Sequence, residues 1–298
     1  MKILLTGASG FLGQEIFKKF SNEDITCLSR STGDIQVSLE NEIPNFEKKF
    51  ELVIHSAGKA HVVPKTENEK KAFHDINVIG TQNLLMGLER SFIPEKFVFI
   101  SSVSVYGREV GININENDLL NAKDPYGISK IEAEKLITTW CDQNNVVCTI
   151  LRLPLLVGKN PPGNLGAMLK AINKGYYFNI GGGIARKSMV LTKDVASFIR
   201  KVSPVGGVYN LTDGNHPSFC ELSHIIAKNK VKRKPHNVSL FLAKLIGKIG
   251  DVLGDKAPLN TFKVKKITTD LTFDDSKARN ELNWNPQSVL DYLKDNDL

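Results

Sequence analysis

The segment Thr6-Gly-Ala-Ser-Gly-Phe-Leu-Gly13 constrains the fold more than any other part of this sequence. It follows the short apolar run Lys2–Thr6, and the residues after it have the apolar spacing of an amphipathic helix. Glycines at a first strand–helix turn allow a tight bend, a close approach to a pyrophosphate and close packing of helix on sheet. The free N–H groups at the helix start then favour the phosphate charge. The segment predicts a dinucleotide site, and a structural glycine turn without a ligand is the alternative.

The rest of the first half alternates short apolar runs with long helical patterns. Four further runs read as strands, and they are 25–28, 52–55, 96–100 and 146–151. Two long stretches read as helices, and they are 67–89 and 124–144. Strands that alternate with helices imply βαβ units and a parallel sheet. The prediction is an α/β fold of the Rossmann type, a doubly wound parallel sheet.

The pattern changes after about Leu155, where Gly- and Pro-rich turns separate shorter elements. With 298 residues, the chain is long enough for a large domain with a smaller addition. We therefore expect a dinucleotide-binding domain over residues 1–155. Residues 156–298 are expected to be mainly a substrate-binding region, with some segments returning to the first domain.

Composition limits the compartment and the partners. The four cysteines are scattered without metal-ligand spacing, which favours reduced thiols and no metal site. The first residues lack the long apolar core of an export signal, and no run of 18 apolar residues predicts a membrane span. We expect a cytoplasmic protein. The apolar run 238–252 is broken by Lys and Gly and predicts an amphipathic packing helix, with contact to a membrane surface as the alternative.

The net charge of +7 is partly concentrated in the basic run 228–234. This run is interpreted as a solvated helix end and loop, with an anionic partner as the alternative. Nucleic-acid binding is not expected, because no aromatic residues are interleaved with the basic ones.

The choice of dinucleotide is read just after the second strand, where an acidic residue holds the ribose 2′-hydroxyl of NAD and a basic one accommodates the 2′-phosphate of NADP. Here the strand is followed by Ser29 and Arg30, and a guanidinium can bind a phosphate with two hydrogen bonds. The sequence favours NADP(H). Asp34 lies four residues later and keeps NAD(H) as the alternative.

Tyr126 and Lys130 are the best candidates for catalysis. Asp124 and Pro125 predict a helix start, which places the two side chains one turn apart on one helix face. A nearby ammonium is expected to lower the pKa of the phenol and make it usable as an acid or base. Upstream, the buried run 97–100 ends in serines at the sheet edge where ligands bind. Of these, Ser102 is the preferred site residue.

Taken together, the motifs resemble those of the extended short-chain dehydrogenases, the group of nucleotide-sugar epimerases, dehydratases and reductases. The matching segments are TGASGFLG (6–13), HSAG (55–58), DINVIGTQNLL (75–85), FISSVSVYG (99–107), DPYGISK (124–130), LRLPLLVG (151–158), YNLTDG (209–214) and DDSKARNELNWNP (274–286). The resemblance spans nearly the whole chain.

The resemblance implies a role for individual residues. It implies a catalytic triad of Ser102, Tyr126 and Lys130. The implied cofactor contacts are Gly7, Gly10, Phe11, Leu12, Arg30, Asp34, Ile35, Ala57, Tyr126 and Lys130. The implied substrate contacts are Ser102, Asn164, Leu165, Phe178, Ile180, Arg186 and Lys187. Lys187 stands closest to the position of a diphosphate-binding arginine in the family, with Arg186 beside it.

The activity implied by this resemblance is hydride transfer at C4 of a nucleotide-diphosphate sugar, either as a 4-keto reductase or as a 4-epimerase of a UDP-sugar in surface polysaccharide synthesis. The resemblance also implies a homodimer formed through the long helices 67–89 and 124–144. Two alternatives stay open. One is a dehydrogenase or reductase of a non-nucleotide alcohol or ketone, and the other is a non-catalytic NAD(P)-binding protein. The basic pair Arg186–Lys187 argues against the first, and the presence of both Tyr126 and Lys130 argues against the second.

Overall fold

A seven-stranded parallel sheet forms the centre of the molecule. The computed structural model describes residues 1–60, 63–230, 233–253 and 259–296. The strands of the sheet are β1 (Lys2–Thr6), β2 (Asp24–Ser29), β3 (Ile35–Gln36), β4 (Leu52–His55), β5 (Lys96–Ser102), β7 (Val147–Leu153) and β11 (Gly207–Asn210). Their order is β11-β7-β5-β4-β1-β2-β3. The order reverses between β1 and β4, which is where ligands bind in open parallel sheets.

Helices cover both faces of this sheet, because its strands are apolar on both sides. The helices are α1 (Phe11–Lys19), α2 (Glu67–His74), α3 (Gly80–Arg90), α4 (Pro125–Asn144), α5 (Gly163–Lys174), α6 (Thr192–Val202), α7 (Phe219–Asn229), α8 (Leu240–Leu253), α9 (Thr261–Thr268), α10 (Ser276–Leu282) and α11 (Val289–Asp295). One core contains residues of α1, α6 and α10, and the other contains residues of α3 and α4. The predicted α/β, doubly wound parallel fold is confirmed.

The helix expected over 67–89 is interrupted. The first part, α2, begins with a capping box between Thr66 and Glu69. A π-helical turn, Asp75–Ile79, then separates α2 from α3. Such turns are frequent at functional sites. By contrast, α4 is continuous, and the carboxylate of Asp124 accepts the N–H of Gly127 at 3.0 Å, as the sequence predicts.

The second half of the chain contributes to both parts of the molecule. Strand β11 extends the central sheet, and α6 packs on α1. The remaining strands are β6 (Gly111–Ile114), β8 (Leu155–Val157), β9 (Phe178–Ile180), β10 (Met189–Leu191), β12 (His236–Val238) and β13 (Leu271–Phe273). They form the parallel pairs β8–β10, β9–β12 and β6–β13. A separate core gathers residues of α5, α7 and α11.

The apolar run 238–252 forms most of α8. No helix among the described residues combines the length and the apolarity needed to cross a bilayer. Part of the basic run 228–234, Val231 and Lys232, lies outside the described residues.

Candidate active site

The glycine-rich turn packs so closely that side chains would not fit. Gly7 has a φ of +74°, and a Cβ on it would lie 2.6 Å from the amide nitrogen of Ala57. A Cβ on Gly13 would lie 1.9 Å from the carbonyl oxygen of Gly7. Both distances are far below van der Waals contact, so the turn against β4 and the packing of α1 on the sheet both require glycine. This is the geometry that the sequence pattern predicted.

The N-terminus of α1 is suited to an anion. Its cap residue, Gly10, has no side chain to satisfy the first N–H groups, and the first turn contains no acidic residue. Phe11 and Leu12 are the first two residues of the helix. The Leu12 side chain is buried in the core that contains residues of α1, α6 and α10. Only its backbone is therefore available to a cofactor. The residues present therefore fit the diphosphate of a dinucleotide.

A chain of hydrogen bonds connects the π-helical turn through His55 to Thr6, the residue before the glycine turn. The Thr81 hydroxyl donates to the carbonyl of Asn77 at 2.6 Å, so it accepts from Nε2 of His55, 3.0 Å away. Nδ1 of His55 then accepts from the Thr6 hydroxyl at 2.7 Å, and the Ala57 N–H donates to that same hydroxyl at 3.1 Å. Burial lowers the pKa of His55 to about 3, which keeps the imidazole neutral. His55 thus supports the glycine turn.

Asn77 lies in the π-helical turn and joins three elements. Its side-chain oxygen accepts the N–H of Lys59 at 2.7 Å, and its amide donates to the carbonyl of Lys59 at 3.1 Å and to the hydroxyl of Ser129 at 2.9 Å. The Ser129 hydroxyl donates to the carbonyl of Tyr126 at 2.8 Å. Asn77 is therefore a link between the π-helical turn, the backbone at Lys59 and the first turns of α4.

The Tyr126 phenol lies beside Ser102 at the carboxyl end of β5. Burial raises the pKa of Tyr126, and its hydrogen bond with Ser102 opposes this rise. The ring also packs against Phe73, with 6.0 Å between ring centroids. The direction of the pKa shift differs from the one expected from the Lys130 ammonium. The physical reason is that removal from water disfavours the phenolate more than the neighbours stabilise it.

Lys130 is buried one helical turn after Tyr126, with Nζ 4.1 Å from the centroid of the Phe99 ring. Burial lowers its pKa to about 7, and the Glu134 carboxylate partly opposes this shift. A Cβ on Gly58 would lie 3.8 Å from Nζ of Lys130 and 3.1 Å from Oδ1 of Asn77. The small residue at position 58 therefore keeps the space beside the lysine open.

A buried ion pair that was not predicted from the sequence links α4 to β7. Arg152 of β7 binds Glu134 of α4, with 2.7 Å between Nη2 and Oε2. Ser101 donates to the same carboxylate at 2.5 Å, so this strand-end serine belongs to the ion pair and Ser102 to the site. Arg152 also donates to the Tyr106 hydroxyl at 3.1 Å. Two sequence signals were available, a charged residue inside a buried strand and an acid one turn after Lys130.

Of the residues expected to contact the ribose of the dinucleotide, Arg30 and Asp34 lie in the turn between β2 and β3, and Ile35 begins β3. Arg30 is exposed and its nearest carboxylate, that of Glu40, is 3.7 Å away. Asp34 points back at β2, where its carboxylate accepts the N–H of Cys27 at 2.7 Å. Ile35 of β3 pairs with Leu28 of β2. Arg30 is therefore only loosely held, whereas Asp34 already has a backbone partner.

The expected substrate residues fall into two groups. Asn164 is exposed in the first turn of α5, and Phe178 and Ile180 lie on β9 with partly accessible side chains. Leu165 differs from this, because its side chain is buried in the core between α5 and α7. Only its backbone is available to a ligand.

Arg186 and Lys187 face different surroundings. The Arg186 guanidinium donates to the carbonyl of His216 at 3.0 Å and lies 3.6 Å from the carboxylate of Glu221. The Nζ atom of Lys187 is buried and has no hydrogen-bond partner among the described residues. Burial lowers the pKa of Lys187 to about 8, and nearby Lys266 acts in the same direction. An amine in this setting is the better candidate for an anionic ligand.

The cysteines take no part in this site. All four are free thiols. Within the described residues, no three His, Cys, Asp or Glu side chains are grouped as a metal ion would require.

The chain is similar to known 4-epimerases over most of its length. The UDP-glucose 4-epimerase of Vibrio cholerae is 27% identical over 314 residues, covering 97% of this chain and 92% of the relative. The N-acetyl-alpha-D-glucosaminyl-diphospho-ditrans,octacis-undecaprenol 4-epimerase of Escherichia coli O157:H7 is 28% identical over 306 residues, covering 93% of this chain and 88% of the relative.

The fold has counterparts among solved structures. The UDP-glucose 4-epimerase of Thermotoga maritima, solved with UDP-glucose, superposes with a TM-score of 0.76 at 21% identity, covering 99% of this chain and 96% of the other. Residues 3–211 match the NAD dependent epimerase/dehydratase family. The chain therefore belongs to the NAD dependent epimerase/dehydratase family, a family of enzymes that use a nicotinamide cofactor.

Proposed function

We propose that this enzyme transfers hydride at C4 of a nucleotide-diphosphate sugar, as a 4-epimerase or a 4-keto reductase acting on a UDP-sugar in polysaccharide synthesis. The observation that carries the proposal is the position of Tyr126. Its phenol lies close enough to Ser102, the last residue of β5, for that hydroxyl to lower its pKa, and it stands one helical turn before Lys130 on α4. The full-length similarity to two 4-epimerases supports it.

In this proposal each side chain has a separate task. The bound nicotinamide supplies the position that accepts or gives hydride, together with a positive charge in its oxidised form. Tyr126 holds its proton at Oη, because burial keeps the phenol neutral, and gives it to a C4 carbonyl oxygen as that oxygen gains charge. In the oxidation direction Oη takes the proton back. Ser102 donates to the same sugar oxygen and keeps it in line with Oη.

Lys130 orients the reacting groups and adjusts their charge. Its pKa of about 7 lets the buried amine be protonated or neutral near physiological pH. The protonated form stabilises a phenolate formed on Tyr126, so the proton lost to the sugar is replaced by a nearby positive charge. The link from Asn77 to Ser129 fixes the helix turn that holds both residues.

We place the substrate between the carboxyl ends of the strands in the central sheet and the second half of the chain. Residues 156–298 are accordingly proposed to be mainly the substrate-binding region. Lys187 and Asn164 are proposed to contact the diphosphate, and Phe178 and Ile180 the base. The first assignment is supported by the buried amine of Lys187, for which the described part of the chain offers no hydrogen-bond partner. Arg186 contributes to the shape of this region through its contacts with Glu221 and His216.

One pair of reactions tests the proposal and separates its two forms. Purified enzyme is incubated with UDP-GlcNAc without added cofactor and, separately, with UDP-4-keto-6-deoxy-GlcNAc and NADPH. Appearance of UDP-GalNAc identifies the epimerase, and NADPH consumption identifies the reductase. If neither reaction occurs and neither UDP nor dTDP shifts the melting temperature, the result contradicts a nucleotide-sugar substrate. It then favours a non-nucleotide alcohol or ketone.

The form of the cofactor is a separate proposal. Arg30 is exposed and loosely paired, which supports NADP(H), whereas the Asp34 carboxylate is engaged by the backbone of β2. Titration of the enzyme with NADH and NADPH, followed by nicotinamide fluorescence, decides between them. A homodimer through α2, α3 and α4 is also proposed, and sedimentation equilibrium tests it.

A second carrier for the sugar has its own supporting observation. The Escherichia coli O157:H7 relative is named for a sugar carried on a polyprenol diphosphate. Here α8 exposes apolar side chains and contacts the turn that follows β9, where the proposed base-binding residues lie. Assaying GlcNAc-diphospho-undecaprenol in detergent beside UDP-GlcNAc tests which diphosphate ester the site prefers.

A further inference from the structure

Helix α8 exposes an unusual amount of apolar surface. Phe241 is 80% exposed and Val252 is 88% exposed. Five more exposed apolar side chains lie on the same helix, and they are Leu240, Leu242, Leu245, Ile246 and Ile249. Scattered single exposed apolar residues are normal on a protein surface, but a continuous set on one helix marks an interaction site.

Six of these exposed apolar residues form one continuous face, and Leu240 lies outside it. At about 100° per residue, Phe241, Val252, Leu245, Ile249, Leu242 and Ile246 follow one another around an arc of about 140°. Ala243, Gly247 and Gly250 occupy the opposite side of the helix and are buried. Gly247 meets the backbone of α9 there, where a Cβ would lie 3.2 Å from the Thr261 nitrogen. The small residues thus attach α8 to the protein, and the large apolar ones point away from it.

Basic side chains border this apolar face. Lys244 and Lys248 are exposed on one flank, next to Phe241 around the helix. Arg233 and Lys234 are exposed just before β12, the strand that leads into α8. The acidic residue of α8, Asp251, is turned toward α9, where its carboxylate accepts the N–H of Thr261 at 3.0 Å. The face therefore combines apolar side chains with a positive border.

This combination fits a lipid surface better than a second copy of the chain. In a symmetric dimer whose two-fold axis runs across the helices, the flank with Lys244 and Lys248 would lie beside the same flank of the second copy. Anionic headgroups instead complement these lysines while the apolar arc enters the acyl region, as in helices that lie in a membrane interface. The helix has 14 residues, so it is about 21 Å long and suited to lie along a bilayer.

We propose that α8 is a membrane-docking helix that inserts its apolar arc into a bilayer containing anionic lipid and keeps Lys244 and Lys248 at the headgroups. Docking would place the turn after β9, and with it the proposed base-binding residues, close to the lipid surface, since Gly181 lies against Leu240 at the start of the helix. The proposal concerns this surface and holds for either sugar carrier.

Vesicle sedimentation with the full chain tests the proposal. Protein is mixed with sucrose-loaded vesicles of phosphatidylcholine alone or of phosphatidylcholine and phosphatidylglycerol at 3:1, and the pelleted fraction is measured. We expect at least about tenfold stronger partitioning onto the anionic vesicles, with a decrease when the salt concentration is raised. Protein that stays in the supernatant with both vesicle types overturns the proposal.

Matched variants identify the surface. The pair Phe241→Gln and Ile249→Gln removes two members of the arc and should reduce partitioning at least about tenfold. The control pair is Ile112→Gln and Leu119→Gln, two side chains that are 71% and 79% exposed elsewhere. The control should bind as the unchanged protein does, and equal effects from both pairs would contradict the assignment to α8.

A fluorescence measurement does not depend on comparing variant stabilities. Phe241→Trp adds an exposed reporter, since the two native tryptophans, Trp140 and Trp284, are buried. Insertion predicts a blue shift with anionic vesicles and quenching by brominated acyl chains. No shift or quenching overturns insertion. Concentration-dependent self-association that is abolished by Phe241→Gln, without vesicle binding, would assign the face to a second copy.

Discussion

The side-chain amide of Asn77 donates a hydrogen bond of 2.9 Å to the hydroxyl of Ser129, which joins the π-helical turn to the catalytic helix. Ser129 is the residue before Lys130, and its own hydroxyl donates to the carbonyl of Tyr126. The position of the catalytic pair therefore depends on a residue that lies some fifty positions earlier in the chain. Because Asn77 also holds the backbone of Lys59, this one side chain ties three segments of the site together.

The first prediction concerns the stability contributed by this link. Asn77→Ala leaves the partly buried N–H and carbonyl of Lys59 without this partner and removes one of the two partners of the Ser129 hydroxyl, and losing such hydrogen bonds inside a protein is costly. We expect a loss of about 2–4 kcal/mol in the free energy of unfolding, measured by urea denaturation. Asn83→Ala is the control, since Asn83 makes one hydrogen bond, to the carbonyl of Leu39. Equal losses would show that Asn77 has no special role.

The sequence was sufficient to predict five of the seven strands of the central sheet, the glycine turn and the start of α4, because each depends on local patterns, whereas β3 and β11 were not predicted. Gly7 and Gly13 are needed where backbones touch, and Asp124 caps the helix that follows it. The pKa direction of Tyr126 was not predictable from the spacing to Lys130. It depends on how much water the folded chain removes from the phenol, and this is a property of tertiary packing.

The ion pair of Arg152 with Glu134 was missed for a related reason. Its partners lie on β7 and α4, and only the packing of that helix on the sheet brings them together. Likewise, resemblance placed Leu165 at the substrate, but the helical register of α5 turns its side chain into the core. Residue identity indicated which segments to consider for the site, whereas the direction of each side chain depended on the packing of the elements.

Lys130 should make stability depend on pH in a defined window. In the unfolded chain its amine is protonated up to about pH 10.5, whereas in the folded protein it loses its proton above about pH 7. Between these values the unfolded state binds more protons, so this residue makes stability rise with pH, and its destabilising effect is greatest below pH 7.

Replacing Lys130 with Met removes this effect. Between pH 7 and 9 the unchanged protein should gain about 1 kcal/mol in its free energy of unfolding per pH unit from Lys130, and Lys130→Met should not. The difference in stability between the two proteins should therefore change by that amount per pH unit. Denaturation with urea at several pH values measures this difference. Lys135→Met provides the control, since Lys135 is exposed on the same helix. A pH-independent difference for Lys130→Met would contradict a buried amine with a lowered pKa.

The neighbouring residues Arg186 and Lys187 should contribute unequally to substrate affinity. Lys187→Met removes the buried amine that has no partner among the described residues, and we expect KM for the sugar diphosphate to rise at least about tenfold. Arg186→Met removes a guanidinium that already contacts His216 and Glu221, so KM should change less than about threefold. Isothermal titration with UDP gives the same comparison without turnover, and the reverse order would assign the diphosphate to Arg186.

Arg30 should control the preference between the two dinucleotides. Arg30→Ala removes the cation proposed to face the 2′-phosphate, and we expect NADPH binding to weaken about tenfold while NADH binding changes little. Fluorescence titration of both cofactors measures the ratio. The control is Arg108→Ala, which removes another exposed arginine, paired with Asp118 at 3.6 Å. If Arg30→Ala weakens both cofactors equally, the side chain does not distinguish them.

Turnover should depend on the phenol of Tyr126 far more than binding does. Tyr126→Phe keeps the ring packed against Phe73 but removes the proton donor, so kcat should fall by about 10²-fold or more while the affinity for the nicotinamide cofactor changes little. Tyr176→Phe removes the hydroxyl of an exposed tyrosine and should retain full activity. Steady-state kinetics and cofactor titration of both variants separate the two effects. Full activity in Tyr126→Phe would remove this residue from the proton transfer, and the acid would then have to be sought among the hydroxyls beside it, beginning with Ser102.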